Sequence, residues 1–199
     1  MGYAQVSSGY SHAFLWEGDV VQDLGTLGGN YSFAYDISAS GQVVGRAYIA
    51  NGDSHAFLWE DGAMDDLGTL GSSYSEARGI NALGQVVGRS GTVDGEGHAF
   101  LWENGVMYDL NDLVPNGSEW VLQYAFDTND RGQIVGYGWR SGFYDGQCHA
   151  VLLTPIPEPA GLGVVGVALL VAMRRLRRGC GGARGPRPTT LPRRLGSEM

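Results

Sequence analysis

The sequence predicts an all-β fold made of four-stranded antiparallel units that repeat about every 43 residues. Three observations predict it. The string His-Ala-Phe-Leu-Trp occurs at His12–Trp16, His55–Trp59 and His98–Trp102, a constant step of 43 residues. It decays 51 residues later to His149-Ala150-Val151-Leu152-Leu153. A fixed period of this size marks a repeat architecture. Second, short β-branched and aromatic runs alternate with Gly, Asn and Asp, the pattern of strands joined by tight turns. Third, two more strings keep the same register. Asp-Leu-Gly-Thr-Leu-Gly stands at Asp23–Gly28 and Asp66–Gly71 and weakens to Asp109-Leu110-Asn111-Asp112-Leu113. Gly-Gln-Val-Val-Gly stands at Gly41–Gly45 and Gly84–Gly88, with Gly132-Gln133-Ile134-Val135-Gly136 third.

Each unit reads as four strands: a run around Gln85–Arg89, then His98–Glu103, then Val106–Leu110, then a segment such as Ser75–Ile80. Asn51-Gly52, Asp94-Gly95 and Asp145-Gly146 separate the first and second strands. Gly18-Asp19, Asp61-Gly62 and Asn104-Gly105 separate the second and third. Asn-Gly and Asp-Gly tolerate positive φ at both central positions, so type I′ hairpins are expected. Ser40-Gly41, Leu83-Gly84 and Arg131-Gly132 mark the return to the next unit, and the linker Gly25–Ser32 crosses between units. Four hairpin-linked strands in about 43 residues have the size of a β-propeller blade. An open solenoid-like stack and a sandwich are the alternatives.

The count is incomplete. Gly2 stands where the last glycine of Gly-Gln-Val-Val-Gly belongs, so about three and a half units are present. A closed propeller usually needs four to eight blades. The expectation is a fragment of a longer array, a late start, or closure against another chain.

Composition bounds the function classes. The net charge of −8 conceals a split: residues 1–155 hold 19 acids and 5 arginines, residues 156–199 hold 2 acids and 8 arginines. An acidic body lacks the basic face that phosphate contacts need, so no nucleic-acid partner is expected. The acids read as a solvated surface. All 13 basic residues are arginine. Cys148 and Cys180 form no framework and no zinc spacing.

After Thr154 the pattern changes. Pro155-Ile156-Pro157-Glu158-Pro159 leads into Ala160–Met173, fourteen residues without a charge, and then Arg174-Arg175-Leu176-Arg177-Arg178. The apolar run is short for a span of about 20 residues. It has no polar face, and four arginines at one end favour a membrane stop with that end cytoplasmic. Snorkelling and local thinning can extend the span. One C-terminal transmembrane helix is therefore expected. Residues 179–199, rich in Gly, Pro and Arg, read as disordered. The division is 1–154 repeat domain, 155–178 sorting segment and 179–199 tail.

These motifs carry two resemblances. Residues 2–154 resemble the HAF-repeat family, which implies an extracellular protein. The C-terminus resembles the PEP-CTERM sorting signal, with Pro157, Glu158 and Pro159 as its motif, Ala160–Met173 as its helix, and Arg174, Arg175, Arg177 and Arg178 as its membrane stop. That resemblance implies export across the inner membrane of a Gram-negative bacterium. An exosortase, a membrane-embedded cysteine protease, would cut near the motif and release the protein to the envelope, the surface or an exopolysaccharide matrix. Two departures stand out. No N-terminal signal peptide is visible, and 21 residues follow the arginine cluster where the signal normally ends.

The candidate chemistry is weighed against this frame. His12, His55, His98 and His149 recur at the start of one strand and read as structural markers hydrogen-bonded to a neighbouring loop. A ring of them around an axis could hold a metal, the minor alternative. Asp23, Asp66 and Asp109 recur before the linker and read as acceptors of backbone N–H groups. No carboxylate pair for glycoside hydrolysis is singled out. The acidic turns match no calcium loop, so no metal or other cofactor is expected and calcium is the minor alternative. Trp16, Trp59 and Trp102 read as core; Trp120 and Trp139 fall outside the repeat and suit a binding surface. Cys148 and His149 are adjacent on a strand and point to opposite faces, against a catalytic pair. GxSxG, P-loop and HExxH motifs are all missing from the sequence. The expected function is a non-enzymatic exported envelope or matrix repeat protein. It would meet the inner membrane and an exosortase transiently, with exopolysaccharide or surface proteins as partners. A glycan- or protein-binding module and a polysaccharide-acting enzyme are the alternatives.

Overall fold

The computed structural model describes residues 1–114, 118–140, 148–155 and 169–171. They form fifteen strands and one short helix. Unit 1 holds β1 (Gly2–Gln5), β2 (Ser11–Glu17) and β3 (Val20–Asp23). Unit 2 holds β4 (Gly28–Ile37), β5 (Val43–Ile49), β6 (Ser54–Glu60) and β7 (Ala63–Asp66). Unit 3 holds β8 (Gly71–Ile80), β9 (Val86–Thr92), β10 (Gly97–Glu103) and β11 (Val106–Asp109), followed by α1 (Leu110–Leu113). Unit 4 holds β12 (Trp120–Thr128), β13 (Ile134–Arg140), β14 (His149–Pro155) and β15 (Leu169–Val171).

The all-β class and the antiparallel meanders are as expected. Neighbouring strands within each unit pair antiparallel, and none of the sheets closes on itself. The phase of the repeat differs from the sequence reading. The long strands β4, β8 and β12 pair with the strand that follows them, so each opens a unit rather than ending one. A repeated string has no intrinsic first strand; hydrogen bonding chooses it.

The turns also differ. Asp61-Gly62 and Asn104-Gly105 take positive φ at both positions, as a type I′ hairpin requires. At Asn51-Gly52 and Asp94-Gly95 only the glycine does. There Gly52 N–H donates to Ile49 O and Ile49 N–H to Asp53 O, each at 3.0 Å. This is a three-residue loop ending in a left-handed glycine. The same loop recurs at Ser38–Gln42, Asn81–Gln85 and Asn129–Gln133, with Gly41, Gly84 and Gly132 in that role.

The period-2 alternation of the His-Ala-Phe-Leu-Trp strand explains how the units stack. Ala and Leu face the following unit, while His, Phe and Trp face the preceding one. Three apolar layers result. Ala13, Leu15 and Leu24 of unit 1 meet Val43, Phe57 and Trp59 of unit 2. Val44, Ala56, Leu58 and Leu67 of unit 2 meet Val86, Phe100 and Trp102 of unit 3. Val87, Ala99, Leu101 and Leu110 of unit 3 meet Ile134, Val151 and Leu153 of unit 4. Buried Ser32 and Ser75 tie the layers together. Ser75 Oγ accepts from Ala56 N–H at 2.8 Å and donates to Gly68 O at 2.5 Å; Ser32 repeats both bonds with Ala13 and Gly25. Between units 3 and 4 the Asn111 side chain substitutes, bonding both N–H and O of Leu122.

The transmembrane helix expected over Ala160–Met173 lies outside the described residues except at Leu169–Val171. Those three form β15, paired with β14. Among the described residues no helix is long and apolar enough to cross a membrane. Pro157, Glu158, Pro159, Arg174, Arg175, Arg177 and Arg178 also lie outside them, as do Asp145-Gly146 and the 179–199 tail.

Candidate functional site

The repeated histidines are placed by cross-strand pairing. Nδ1 of His12, His55 and His98 donates to Asp23, Asp66 and Asp109, at 2.9, 2.8 and 2.6 Å, joining the last two strands of units 1, 2 and 3. Each aspartate also accepts a backbone N–H two residues on, from Gly25, Gly68 and Asn111. The pair thus clamps the end of the unit's last strand to the start of the linker. His149 lies against the Trp120 ring at 5.3 Å. Among the described residues no three His, Cys, Asp or Glu side chains gather as metal ligands.

The tryptophans divide by position in the stack rather than by motif. Trp59 is 7% exposed, Trp16 is 65% exposed. Trp16 is a correction to its expected place in the core: among the described residues no unit packs against that face of unit 1. Trp120 is likewise partly buried against the last layer rather than free for binding, and Trp139 is exposed.

A second group of side chains comes together where the three long strands lie side by side. Tyr10 meets Tyr31 edge-on at 5.3 Å; Tyr31 and Phe33 stand nearly parallel, 6° apart at 6.5 Å; Tyr3 packs on Phe33 at 4.9 Å. Arg46 lies over Phe33 at 5.0 Å and bonds Tyr35. Arg78 lies over Tyr35 at 4.2 Å and over Tyr124 at 5.6 Å. Buried Glu76 bonds Arg78 at 3.0 Å and accepts from the Tyr124 hydroxyl. Tyr124 continues onto Phe126 and Tyr137. The result is an unbroken aromatic and arginine row across units 1 to 4.

The row's electrostatics follow from burial. Tyr74 has its pKa raised, first by burial and then by its hydrogen bond to Glu76. Burial also raises Tyr35, with Arg46 pulling the other way. Both phenols are held neutral: Tyr74 donates to Glu76, and Tyr35 accepts from Arg46. At the N-terminal end Tyr3, Tyr10 and Tyr31 are exposed. An exposed aromatic surface beside a guanidinium can stack on sugar faces and bond acidic or hydroxyl groups.

Sequence reasoning missed this row. The signal was legible in reverse. Aligned by register, Phe33, Glu76 and Tyr124 share one position, and Tyr35, Arg78 and Phe126 share another at the strand bulge. The flanking small residues repeat and these do not. The row is where the repeat departs from itself.

The fold and site define an all-β repeat protein of stacked antiparallel meanders, with one aromatic and arginine row across them. Comparison with family models, curated proteins and solved structures finds no match to this chain.

Proposed function

We propose that this chain is a non-enzymatic envelope or extracellular-matrix protein, a propeller-like repeat body sorted through its C-terminal segment. The observation that supports it most is the three-part order after the last repeat: Pro157-Glu158-Pro159, the uncharged run Ala160–Met173, and the cluster Arg174–Arg178. The repeated histidines fit a scaffold, since each described partner aspartate uses its second oxygen on the backbone. In the sorting reading Leu169–Val171 leaves the edge of β14 to join a helix in the inner membrane. A three-residue edge strand forms few ladder bonds, so that exchange is cheap. An exosortase then cuts near the motif. The test is a version of this chain exported by a signal peptide. Changing Pro157-Glu158-Pro159 to alanines is expected to leave an uncleaved, membrane-held form. Unchanged processing and location would sink the sorting reading.

A second reading is favoured by the aromatic and arginine row: a glycan-binding module. Tyr31 and Phe33 stand with nearly parallel rings, and Arg46 lies over Phe33. An acidic polysaccharide is expected to retard the protein in affinity electrophoresis, and Tyr31→Ala to weaken binding about tenfold, the scale of a lost stacking contact. Equal retardation of both proteins by every acidic and neutral polysaccharide tried would reject it.

A further inference from the structure

We propose that Arg46 and Arg78 form a seat for one carboxylate group of an acidic sugar, where the long strands of units 2 and 3 lie side by side. The inference deepens the glycan-binding reading and rests on it for the sugar. The seat itself rests on how the arginines are paired.

An acidic body has carboxylates to spare for its few cations. Residues 1–155 hold 19 acids and 5 arginines. Three of those arginines, Arg46 on β5, Arg78 on β8 and Arg89 on β9, share a single carboxylate. Arg78 bonds Glu76 at 3.0 Å, and Arg89 stands opposite Glu76 in the β8–β9 register. Among the described residues neither Arg46 nor Arg89 has a carboxylate within ion-pair distance. Glu76 is further engaged by the hydroxyls of Tyr74 and Tyr124. The cluster therefore carries an excess of positive charge inside an otherwise acidic body.

Its hydrogen bonding is incomplete in the same sense. Among the described residues five buried side-chain polar atoms lack a partner, and three of them are the Nε atoms of Arg46, Arg78 and Arg89. A buried donor without an acceptor is costly and seldom left so. The aromatic rings explain the shortfall. Arg46 lies over Phe33 and Arg78 over Tyr35, so rings cover the flat faces of the guanidinium groups and leave N–H edges unmatched. Tyr35 holds the two together, with its ring against Arg78 and its hydroxyl bonded to Arg46. Both arginines remain part-exposed.

A carboxylate is the group that matches two such edges, because its two oxygens accept from a guanidinium fork in one plane. Arg78 already takes one from within the chain, and Arg46 lacks its equivalent. Phe33 against Arg46, with Tyr31 parallel to it, sets aromatic rings beside the seat for the sugar that carries the carboxylate.

The test is isothermal titration calorimetry of the full chain at constant ionic strength. Its probes are free glucuronate, a 1,4-linked glucuronate tetramer, and that tetramer with its carboxyls reduced to alcohols. The wild type is expected to bind the acidic tetramer about tenfold tighter than the reduced one, the scale of a charge-assisted hydrogen bond. Arg46→Gln is expected to lose that factor for the acidic tetramer and nothing for the reduced one. Glu76→Gln removes the competing carboxylate at nearly constant shape and is expected to tighten the acidic tetramer by about threefold or more. Comparing the two tetramers on the wild type needs no variant, so a variant that fails to fold does not shield the proposal. Equal binding of both tetramers overturns the seat and leaves the glycan reading standing. Binding of free glucuronate that depends on Arg46, with neither tetramer bound, keeps the seat for a free sugar acid and ends the glycan reading. No binding of any probe overturns both.

Discussion

Phe57→Ala is expected to cost about 4 kcal/mol of unfolding free energy, and the same change at Phe14 about 1 kcal/mol or less. Both phenylalanines stand in the same string, opposite the same glycine of the neighbouring strand. Phe57 is fully buried in the layer between units 1 and 2, so truncation leaves a cavity among Val43, Ala13 and Trp59. Phe14 lies on the outer face of unit 1, where water fills the vacated space. Urea unfolding of the full chain measures the difference. Equal costs at the two positions would mean that unit 2 does not pack on unit 1 as described.

Gly88→Ala is expected to be nearly as damaging, at about 3 kcal/mol, while Gly2→Ala is expected to be tolerated. The reason is close approach rather than backbone freedom. A Cβ on Gly88 would sit 2.0 Å from Glu76 O and 2.9 Å from the Phe100 ring. Gly45 and Gly136 meet the carbonyls of Phe33 and Tyr124 at 1.9 and 2.0 Å. In every case the obstacle is backbone of the long strand, which cannot swing aside. Gly2 has no long strand beside it, and its Cβ would reach only the Phe14 ring at 3.4 Å. Thermal unfolding of the two variants checks the contrast. A Gly88→Ala protein that melts with the wild type would show that the long strand does not lie where it is placed.

Both contrasts explain what could be read early. The final glycine of Gly-Gln-Val-Val-Gly repeats because the long strand of its own unit and the phenylalanine paired with it leave no room for a Cβ, a constraint at short sequence distance. Such constraints leave a periodic trace. The His–Asp clamp is of the same kind, spanning eleven residues within one hairpin. The aromatic and arginine row left no such trace. Glu76 and Tyr124 are 48 residues apart and belong to different units. Their meeting depends on how one unit lies on the next, which no single string encodes.

The sequence by itself determined the all-β class, the period, the hairpins and the alternation that sends Ala and Leu one way and Phe and Trp the other. These follow from backbone turn preferences and the two-residue repeat of a strand. Tertiary structure decided which strand opens a unit, that the sheets stay open, and which of three identical tryptophans is buried. Those outcomes depend on neighbours in space: Trp59 and Trp16 carry the same local sequence, and only one has a unit packed against it.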